Sequence, residues 1–384
     1  MVLVLLFANL PLFSPSLIQM FVELHYPESL TAQELDIYLA NGWFRMGQSI
    51  FTTNFLRFHE KFYSAIWLRI ELSNTEKTKT QQKIEKLNTK FRVEIQAANP
   101  TDKHEALFSK YRESMTFEPA PSVNNLLYGH REDRETLRIF DTVEINIYDD
   151  DKLIAAGFLD LGEKSAAGIS CFYDPYYRKY SLGKYLMYLK IEFCKKNNFQ
   201  FFYPGYFAPG YPLFDYKLDL VKPTLEYFDL VADAWIRFEE HDDSRIPFEI
   251  MARKLRALSE NLDKREIKNE FKYYDFFDAD MISNLNGLGL FDFPVCLFCF
   301  DLDSDSQDDT SPLLPMVVFD VRDDQFHLIL CTKVYKSIFE ESPEEHYNAF
   351  LLQISRFLYT GEVVEEMADV IEMYERELLK ETNI

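Results

Sequence analysis

Three strand-like segments, one helical segment and a final strand follow one another over residues 143–206, and this order constrains the fold most strongly. The first segment alternates apolar and polar residues with a period of two, as a half-buried strand requires. An Asp-rich turn separates it from the second segment. The predicted strands cover residues 143–148, 153–161, 167–173 and 200–206, and the predicted helix covers residues 182–197.

Local signals on either side of this segment divide the chain into regions. Thr31-Ala-Gln-Glu34 is a capping box, in which the Thr31 hydroxyl accepts from the Glu34 backbone N–H and Glu34 reaches back. Asn41-Gly42 then ends that helix. Further helices are predicted at 75–90, 102–116, 344–357 and 362–380, and β-structure at 61–72. We therefore expect domains at 20–100 and 101–224, followed by an acidic extension of unknown role at 225–384.

The net charge of −22 is distributed unevenly along the chain. From Leu225 onward the sequence contains 36 Asp and Glu but 15 Lys and Arg, a difference of −21. The preceding residues then hold 63 − 36 = 27 acids and 41 − 15 = 26 bases, close to neutrality. Because the front of the chain is neutral, it can still present a basic face to phosphates.

Five cysteines in 384 residues do not build a disulfide framework, and an odd number excludes complete pairing. The neighbours of Cys296 and Cys299 are all apolar, which favours buried thiols over metal ligands. The first 19 residues are apolar, contain no Lys or Arg, and are interrupted by Pro11 and Pro15. They fit neither a secretory signal nor a spanning helix, so we expect an over-extended or disordered start, initiation at Met20 and a cytoplasmic protein.

Residues 173–185 carry the clearest chemical signal. An Asp-Pro turn leads to Arg178-Lys179, and Ser181-Leu-Gly183 opens a helix. The first N–H groups of a helix lack internal partners and carry positive potential, Gly183 permits close approach to the backbone, and Ser181 can cap the helix. This combination suits a phosphate group. An ordinary strand-to-helix turn is equally compatible with these residues alone.

The order of elements over 143–206 resembles the core of the acetyltransferase (GNAT) superfamily, in which this turn holds the pyrophosphate of acetyl-CoA. The implied fold is α/β (α+β), a GNAT-like mixed sheet flanked by helices, with an additional acidic C-terminal α+β region. More specifically, Tyr-Asp-Pro-x-Tyr-Arg-Lys-x-Ser-Leu-Gly-x-Tyr at 173–185 resembles the C-terminal signature of arginyl-/leucyl-tRNA–protein transferases. The resemblance implies that residues 20–100 form an N-terminal transferase domain and that residues 101–224 form a GNAT-like transferase domain.

Other segments resemble that family in the same order along the chain. Residues 202–206 are similar to its Tyr-Leu-Gly-Tyr motif, and 211–217 to its Cys-Pro-Lys-Met-x-Tyr-Lys motif. Upstream, 42–47 resembles a Gly-x-Arg-x-Ser-Gly turn, and 67–69 with 77–83 resemble Arg-x-x-x-Phe and Ser-Arg-Ser-Gln-Arg-Arg stretches. The matches run from about residue 30 to about 220, and nothing after about 224 matches.

The chain departs from the family at its cysteines, which bind a metal or an iron–sulfur cluster in other members. Residues 50–63 contain Phe51, Asn54, Phe58 and His59 but no cysteine, and Tyr211 replaces the cysteine of the later motif. We therefore expect no metal and no cofactor. Either aromatic packing refills this site, or activity was lost with the cysteines.

The resemblance implies transfer of an amino acid, with arginine favoured, from tRNA to the N-terminal α-amine of acceptor proteins in an N-degron pathway. The ester is already activated, so alignment of amine and carbonyl supplies most of the catalysis. The implied catalytic residues are Asp174, Tyr206 and Lys217; the implied tRNA or phosphate contacts are Arg45, Lys77, Lys79, Lys83, Arg178, Lys179, Ser181 and Gly183; the implied acceptor pocket contains Tyr173, Tyr203, Gly205 and Tyr216.

Simpler roles stay open for these residues. Each lysine could lie on a solvated helix face, each tyrosine could pack in the core, and Asp174 could only start a turn. Two other functions also stay open. An acetyl-CoA-dependent N-acetyltransferase requires an Arg/Gln-x-x-Gly-x-Gly/Ala turn, whose first glycine is replaced by Ser181. A degenerate transferase would act without catalysis as a binding protein.

Overall fold

The computed structural model describes residues 20–115, 120–129, 138–299, 313–337 and 343–382, with side chains to residue 376. These residues divide into two compact units. The larger unit contains Leu24–Asp229 and Ala234–His241, and the smaller unit contains the rest. The predictions for residues 1–19 lie outside the described residues. Within the described part of the chain, no helix is both long enough and apolar enough to cross a bilayer.

The larger unit is built from short helices around mostly antiparallel strands. Its helices are α1 (Ala32–Ala40), α2 (Lys79–Asn88), α3 (Asp102–Arg112), α4 (Val123–Tyr128) and α5 (Leu182–Lys196). The strands up to residue 241 are β1 (Val22–His25), β2 (Phe44–Met46), β3 (Ser49–Thr53), β4 (Phe55–Phe58), β5 (Lys61–Ser64), β6 (Ile66–Glu71), β7 (Arg92–Ala97), β8 (Thr142–Asp149), β9 (Lys152–Leu161), β10 (Ser165–Tyr173), β11 (Phe201–Phe207), β12 (Leu225–Asp229) and β13 (Ala234–Arg237).

An eight-stranded sheet organises this unit, with the order β13-β12-β6-β11-β10-β9-β8-β7. Strands β10 and β11 are parallel, whereas their other neighbours pair antiparallel. The succession β8-β9-β10-α5-β11 confirms the predicted GNAT-like order. Strands β6 and β7 belong to the same sheet, so the predicted regions 20–100 and 101–224 share one sheet.

The parallel pair opens along its length. Its ladder covers only three pairs, from Ser165↔Phe201 to Ala167↔Tyr203. Beyond that point β10 shifts register against β9 between Gly168 and Ser170. The pairing of β11 with β6 also shifts register, between Phe202 and Gly205. The C-terminal halves of β10 and β11 therefore leave a gap between them, and we call it the strand gap.

Helices cover both faces of the sheet. Ile66, Leu68 and Ile70 of β6 face the core cluster around α5, whereas Trp67 faces the cluster around α1. Helices α3 and α4 pack on the same face of the sheet as α1, through a separate hydrophobic cluster that includes Phe158 of β9. This alternation follows the period of two that places successive side chains on opposite faces of a strand.

Local predictions in the larger unit are confirmed. The Glu34 N–H donates to the Thr31 hydroxyl over 3.2 Å, and the Thr31 N–H donates to the Glu34 carboxylate over 2.8 Å. Helix α1 ends at Ala40 with Asn41 as its C-cap, and Gly42 follows with a φ of +77°. Helices α2 and α3 lie inside the predicted helical segments at 75–90 and 102–116.

The smaller unit contains a second sheet, of order β18-β14-β15-β16-β17-β19. Its elements are α6 (Pro247–Lys264), β14 (Glu270–Tyr274), β15 (Val295–Phe298), β16 (Leu313–Asp320), β17 (Gln325–Lys336), β18 (His346–Tyr347), β19 (Phe350–Gly361) and α7 (Val364–Thr382). Helix α7 confirms the helix predicted at 362–380. Cys296 and Cys299 are fully buried, as predicted, and burial raises the pKa of the Cys296 thiol to about 12.

The helix predicted at 344–357 is wrong. Residues 350–361 form β19, which pairs with β17 from Phe326↔Gly361 to Lys336↔Phe350. Leu352 and Leu358 are buried in this sheet. The long ladder with β17 satisfies the backbone hydrogen bonds of this segment and overrides its local preference.

Candidate functional site

Lys217 lies beside the strand gap and is almost completely buried, with 8% of its surface exposed. It belongs to a 3-10 helix at Pro212–Asp219 that follows β11. Its Nζ donates to the Tyr206 carbonyl over 2.5 Å and lies 4.9 Å from the Phe214 ring centroid. A Cβ at Gly205 would come within 3.2 Å of Nζ, so glycine at this position makes room for the amine.

Burial is the main cause that lowers the pKa of Lys217 from 10.5 to about 7; Cys171 opposes the shift, and the nearby Lys190 adds to it. The desolvated amine is therefore partly neutral near pH 7 and can accept a proton. Burial raises the pKa of Tyr206 to about 12 and raises that of Tyr216 as well. Both hydroxyls consequently stay protonated and can donate hydrogen bonds to an oxyanion.

A thiol and two further tyrosines extend this group along the gap. Cys171, on β10, is near enough to influence the pKa values of Lys217, Tyr216 and Tyr111. The Tyr111 ring lies 5.5 Å from that of Tyr173 at the end of β10. Tyr173 in turn faces the start of α5. The predicted residues Tyr173, Gly205 and Tyr206 thus lie in the C-terminal halves of β10 and β11, and Tyr216 and Lys217 lie in the 3-10 helix that follows β11.

Lys190 was missed by the sequence reasoning. It is 1% exposed, and its Nζ donates to the carbonyls of Phe158 over 2.7 Å and Ser170 over 2.9 Å. Gly157 leaves room for its side chain, because a Cβ at this position would come within 3.2 Å of the Lys190 Cε. Lys190 therefore satisfies carbonyls beside the irregularity in β10 where the gap begins. The available signal was a lysine among the apolar positions of α5.

The predicted phosphate turn is exposed. Pro175–Tyr180 forms a 3-10 helix, and α5 begins at Leu182. Arg178, Lys179 and Ser181 are exposed, and Gly183 is half-buried beside the Tyr173 ring. Ser181 occupies the N-cap position with a φ of +53°, but its side chain makes no cap hydrogen bond, contrary to prediction. The helix start thus remains open beside two cations.

Asp174 caps the 3-10 helix, because its carboxylate accepts from the Tyr176 N–H over 3.1 Å. It also pairs with Lys152 over 2.8 Å. Burial alone would raise the pKa of this carboxyl, but the bonds from Lys152 and Tyr176 outweigh it and lower the pKa. A paired, ionised carboxylate is a weak proton acceptor, so this geometry supports the turn-forming role.

Helix α2 lies against the turn, since the Asn88 amide donates to the Tyr180 carbonyl over 2.9 Å. Lys79 and Lys83 are exposed on this helix. Lys77 instead pairs with Glu85 over 2.9 Å and Glu192 over 3.6 Å, and the bond from Glu85 raises its pKa. Two of the three predicted lysines are therefore exposed without such a pair among the described residues, on a helix whose C-terminal end contacts the turn.

Arg45 and Tyr203 lie in the interior, away from any surface for a ligand. Arg45 pairs with Asp160 over 2.7 Å and donates to the Gly47 carbonyl over 2.7 Å. A guanidinium with these internal acceptors stabilises the fold and offers no face to a phosphate. Tyr203 is 1% exposed and packs edge-on against Phe44 and Trp235, so it belongs to the core rather than to a pocket.

Aromatic rings fill the place of the family's cysteines. Tyr211 stacks on Phe58 at 4.5 Å with an interplanar angle of 18°, and lies 5.6 Å from Tyr63 and 5.7 Å from Phe214. His59 is exposed at the tip of the β4–β5 hairpin. These side chains do not fit a thiolate-bound metal or cluster, so we derive no step through such a group.

One group in the smaller unit has the spacing of metal ligands: Asp320, Asp323 and His327. Asp320, however, accepts from the Arg322 Nε through both oxygens, over 2.9 and 3.1 Å. The His327 ring nitrogens lie 2.9 Å from the Thr360 hydroxyl and 3.0 Å from Asp323. Because these bonds already occupy the donor atoms, the group supports no metal assignment.

The larger unit thus has a GNAT-like fold: its mixed sheet opens at the parallel pair beside a buried amine, and a basic turn precedes the helix that follows β10. The family model for the C terminus of arginine-tRNA-protein transferase matches residues 89–225. Together with the two relatives described next, this match supports the resemblance of the chain to the arginyl-/leucyl-tRNA–protein transferase family, from which it departs by lacking the N-terminal cysteines.

Two relatives show how distant the resemblance is. The aspartate/glutamate leucyltransferase of Leptospira interrogans is 26% identical over 198 residues, which is 50% of this chain and 74% of the relative. That of Campylobacter jejuni is 25% identical over 214 residues, which is 54% of this chain and 88% of the relative.

Solved structures with some likeness share little sequence with this chain. The C-terminal domain of a putative lysylphosphatidylglycerol synthetase from Agrobacterium fabrum is 12% identical with a TM-score of 0.31, covering 38% of this chain and 47% of its own. L-PGS from Bacillus licheniformis is 9% identical with a TM-score of 0.30, covering 48% of this chain and 54% of its own.

Proposed function

We propose that this chain transfers an aminoacyl group from tRNA to the N-terminal α-amine of a protein. One observation carries the proposal: a buried amine with a pKa of about 7 lies beside the strand gap. The exposed Arg178 and Lys179 follow the same gap at the end of β10. A phosphate held at this turn would bring the end of a nucleic acid toward Lys217.

The reaction forms an amide bond and breaks the ester bond to the terminal ribose. The attacking α-amine, with an ordinary pKa of about 7.7–8.0, must be neutral. Lys217 would accept the proton that this nitrogen loses, and the ribose hydroxyl would leave with a proton. The hydroxyls of Tyr206 and Tyr216 would donate to the oxyanion that develops on the ester carbonyl. Asp174 takes no part in this scheme.

The residues around the strand gap help to identify which amino acid the tRNA donor carries. The sequence favours arginine, but a buried guanidinium needs a carboxylate partner. Among the described residues, no carboxylate contributes to the shifted pKa values of Lys217, Tyr206 or Tyr216. Aromatic rings and the Cys171 thiol surround them instead. We therefore propose an apolar donor such as leucyl-tRNA, in keeping with the names of the two relatives.

The test uses the purified full chain with labelled leucyl-tRNA, arginyl-tRNA or acetyl-CoA, and peptides that begin with Asp, Glu, Lys or Arg. We expect label to pass from leucyl-tRNA to a peptide. Transfer from arginyl-tRNA alone would overturn the apolar donor but keep the reaction class. Transfer from acetyl-CoA alone would establish an N-acetyltransferase, and silence with every donor would favour a binding protein.

The phosphate turn is tested separately by Arg178→Ala. Removing one phosphate contact should reduce transfer and tRNA affinity and lower the slope of log affinity against log salt by about 1. Arg253→Ala, which changes an exposed arginine of the smaller unit, is the matched control. An unchanged salt slope and unchanged transfer in Arg178→Ala would remove this turn from the tRNA site.

A further inference from the structure

Four half-buried aromatic rings form a cluster beside the strand gap, which we call the stacking cluster: Phe58, Tyr63, Tyr211 and Phe214. Phe58 and Tyr211 lie face to face at 4.5 Å, while Phe58 and Phe214 are 6.1 Å apart at 40°. The cluster joins the β4–β5 hairpin to the 3-10 helix that carries Lys217. Part of each ring remains accessible to solvent, which fully buried core aromatics such as Phe202 do not show.

The stacking cluster borders the amine directly. The Phe214 ring centroid lies 4.9 Å from the Lys217 Nζ and 5.1 Å from the Tyr206 ring. Tyr211 and then Phe58 continue outward from Phe214, at ring distances of 5.7 and 4.5 Å. A ligand that reacts at Lys217 and extends outward on this side must therefore cross these rings.

The β4–β5 hairpin adds positive charge, the sign that a nucleotide phosphate requires. Arg57 and Lys61 are exposed on the two sides of the tip, against one exposed carboxylate on the same hairpin, Glu60. His59 and Glu60 form the tip with positive φ angles of 51° and 44°. Aromatic faces next to exposed cations are the combination with which proteins bind unpaired nucleotides, because every base has a π-face and every nucleotide a phosphate.

We propose that the stacking cluster binds the unpaired terminal adenine of the charged tRNA. The proposal rests on the proposed transferase function. A single ribose separates that base from the ester, so an ester held at Lys217 places the base one ring-width away, where the cluster lies. The aromatic residues that replace the family's cysteines thus take over a binding role.

The experiment is a cycle of two deletions, read out as tRNA affinity. Uncharged tRNA and the same tRNA without its terminal adenosine are titrated against wild type and Tyr211→Ala. For intact tRNA, Tyr211→Ala should weaken binding by about fivefold or more. For the shortened tRNA the two proteins should bind equally. Tyr211→Phe, which keeps the ring, should behave as wild type, and Tyr335→Ala, at an exposed tyrosine of the smaller unit, is the control.

Equal losses with both tRNAs would overturn the proposal, because the ring would then support the fold or contact another part of the tRNA. Tyr211→Leu keeps an apolar side chain but has no aromatic face. It should therefore still lose affinity for intact tRNA and not for the shortened tRNA. A changed KM for the acceptor peptide without coupling to the terminal adenosine would assign the cluster to the acceptor and also refute it. Since uncharged tRNA suffices, a missing transfer activity leaves this test intact, whereas wild type that binds no tRNA overturns both proposals.

Discussion

Replacing Lys217 with methionine should make the larger unit more stable while abolishing transfer. Methionine fills a similar volume without an amine to desolvate. The difference between a pKa of 10.5 and one of about 7 corresponds to about 5 kcal/mol against folding at neutral pH. The substitution also removes the hydrogen bond to the Tyr206 carbonyl, which lowers the expected stabilisation by about 1 kcal/mol. Relaxation of the protein around the wild-type amine lowers the expected stabilisation further. We expect Lys217→Met to stabilise the unit by about 2–4 kcal/mol near pH 7.

The pH dependence of this gain follows from the sign of the pKa shift. Above the unfolded pKa both states hold a neutral amine, and wild type has no penalty. As the pH falls from there toward 7, the unfolded chain takes up a proton that the folded state refuses, so wild type loses stability. Lys217→Met lacks this titration. Its advantage should therefore shrink by about 2 kcal/mol between pH 7 and pH 9.

Tryptophan fluorescence during urea unfolding measures this effect in one unit alone, because Trp43, Trp67 and Trp235 all lie in the larger unit. The two proteins are compared at several pH values between 7 and 9. A gain that does not change with pH, or a loss of stability at pH 7, would refute a desolvated amine at Lys217. Retained transfer in Lys217→Met would instead refute its role as the proton acceptor.

Two further predictions concern Arg45 and Asp174. Arg45→Leu leaves the buried Asp160 carboxylate without its partner and should destabilise the larger unit by about 3–5 kcal/mol in the same fluorescence assay; a loss below about 1 kcal/mol would contradict the internal role of Arg45. Asp174→Asn keeps a side-chain oxygen for the Tyr176 N–H and should retain most transfer activity with labelled leucyl-tRNA. Loss of turnover in that variant, with unchanged stability, would restore Asp174 as the proton acceptor.

Some parts of the site were readable in the sequence because they depend on neighbouring residues. The Asp174 turn and the start of α5 follow from Pro175 and from the preference of short polar residues for turns. Whether a tyrosine lines a pocket depends on residues far along the chain. The sequence motifs place Tyr203 and Tyr216 equally well in a pocket. In the structure Tyr203 packs against Trp235, whereas Tyr216 lies near the strand gap.

The sequence by itself determined the succession of strands and helix, the capped start of α1, the basic turn and the separation of charge, since each arises from contacts within a few residues or from composition. The tertiary structure alone decided which charged groups are buried. Lys217 and Lys190 become desolvated, and Arg45 meets Asp160, only when strands distant in sequence come together. Burial is a sum over all neighbours in space, so the pKa of Lys217 and the roles of these side chains cannot be read from local sequence.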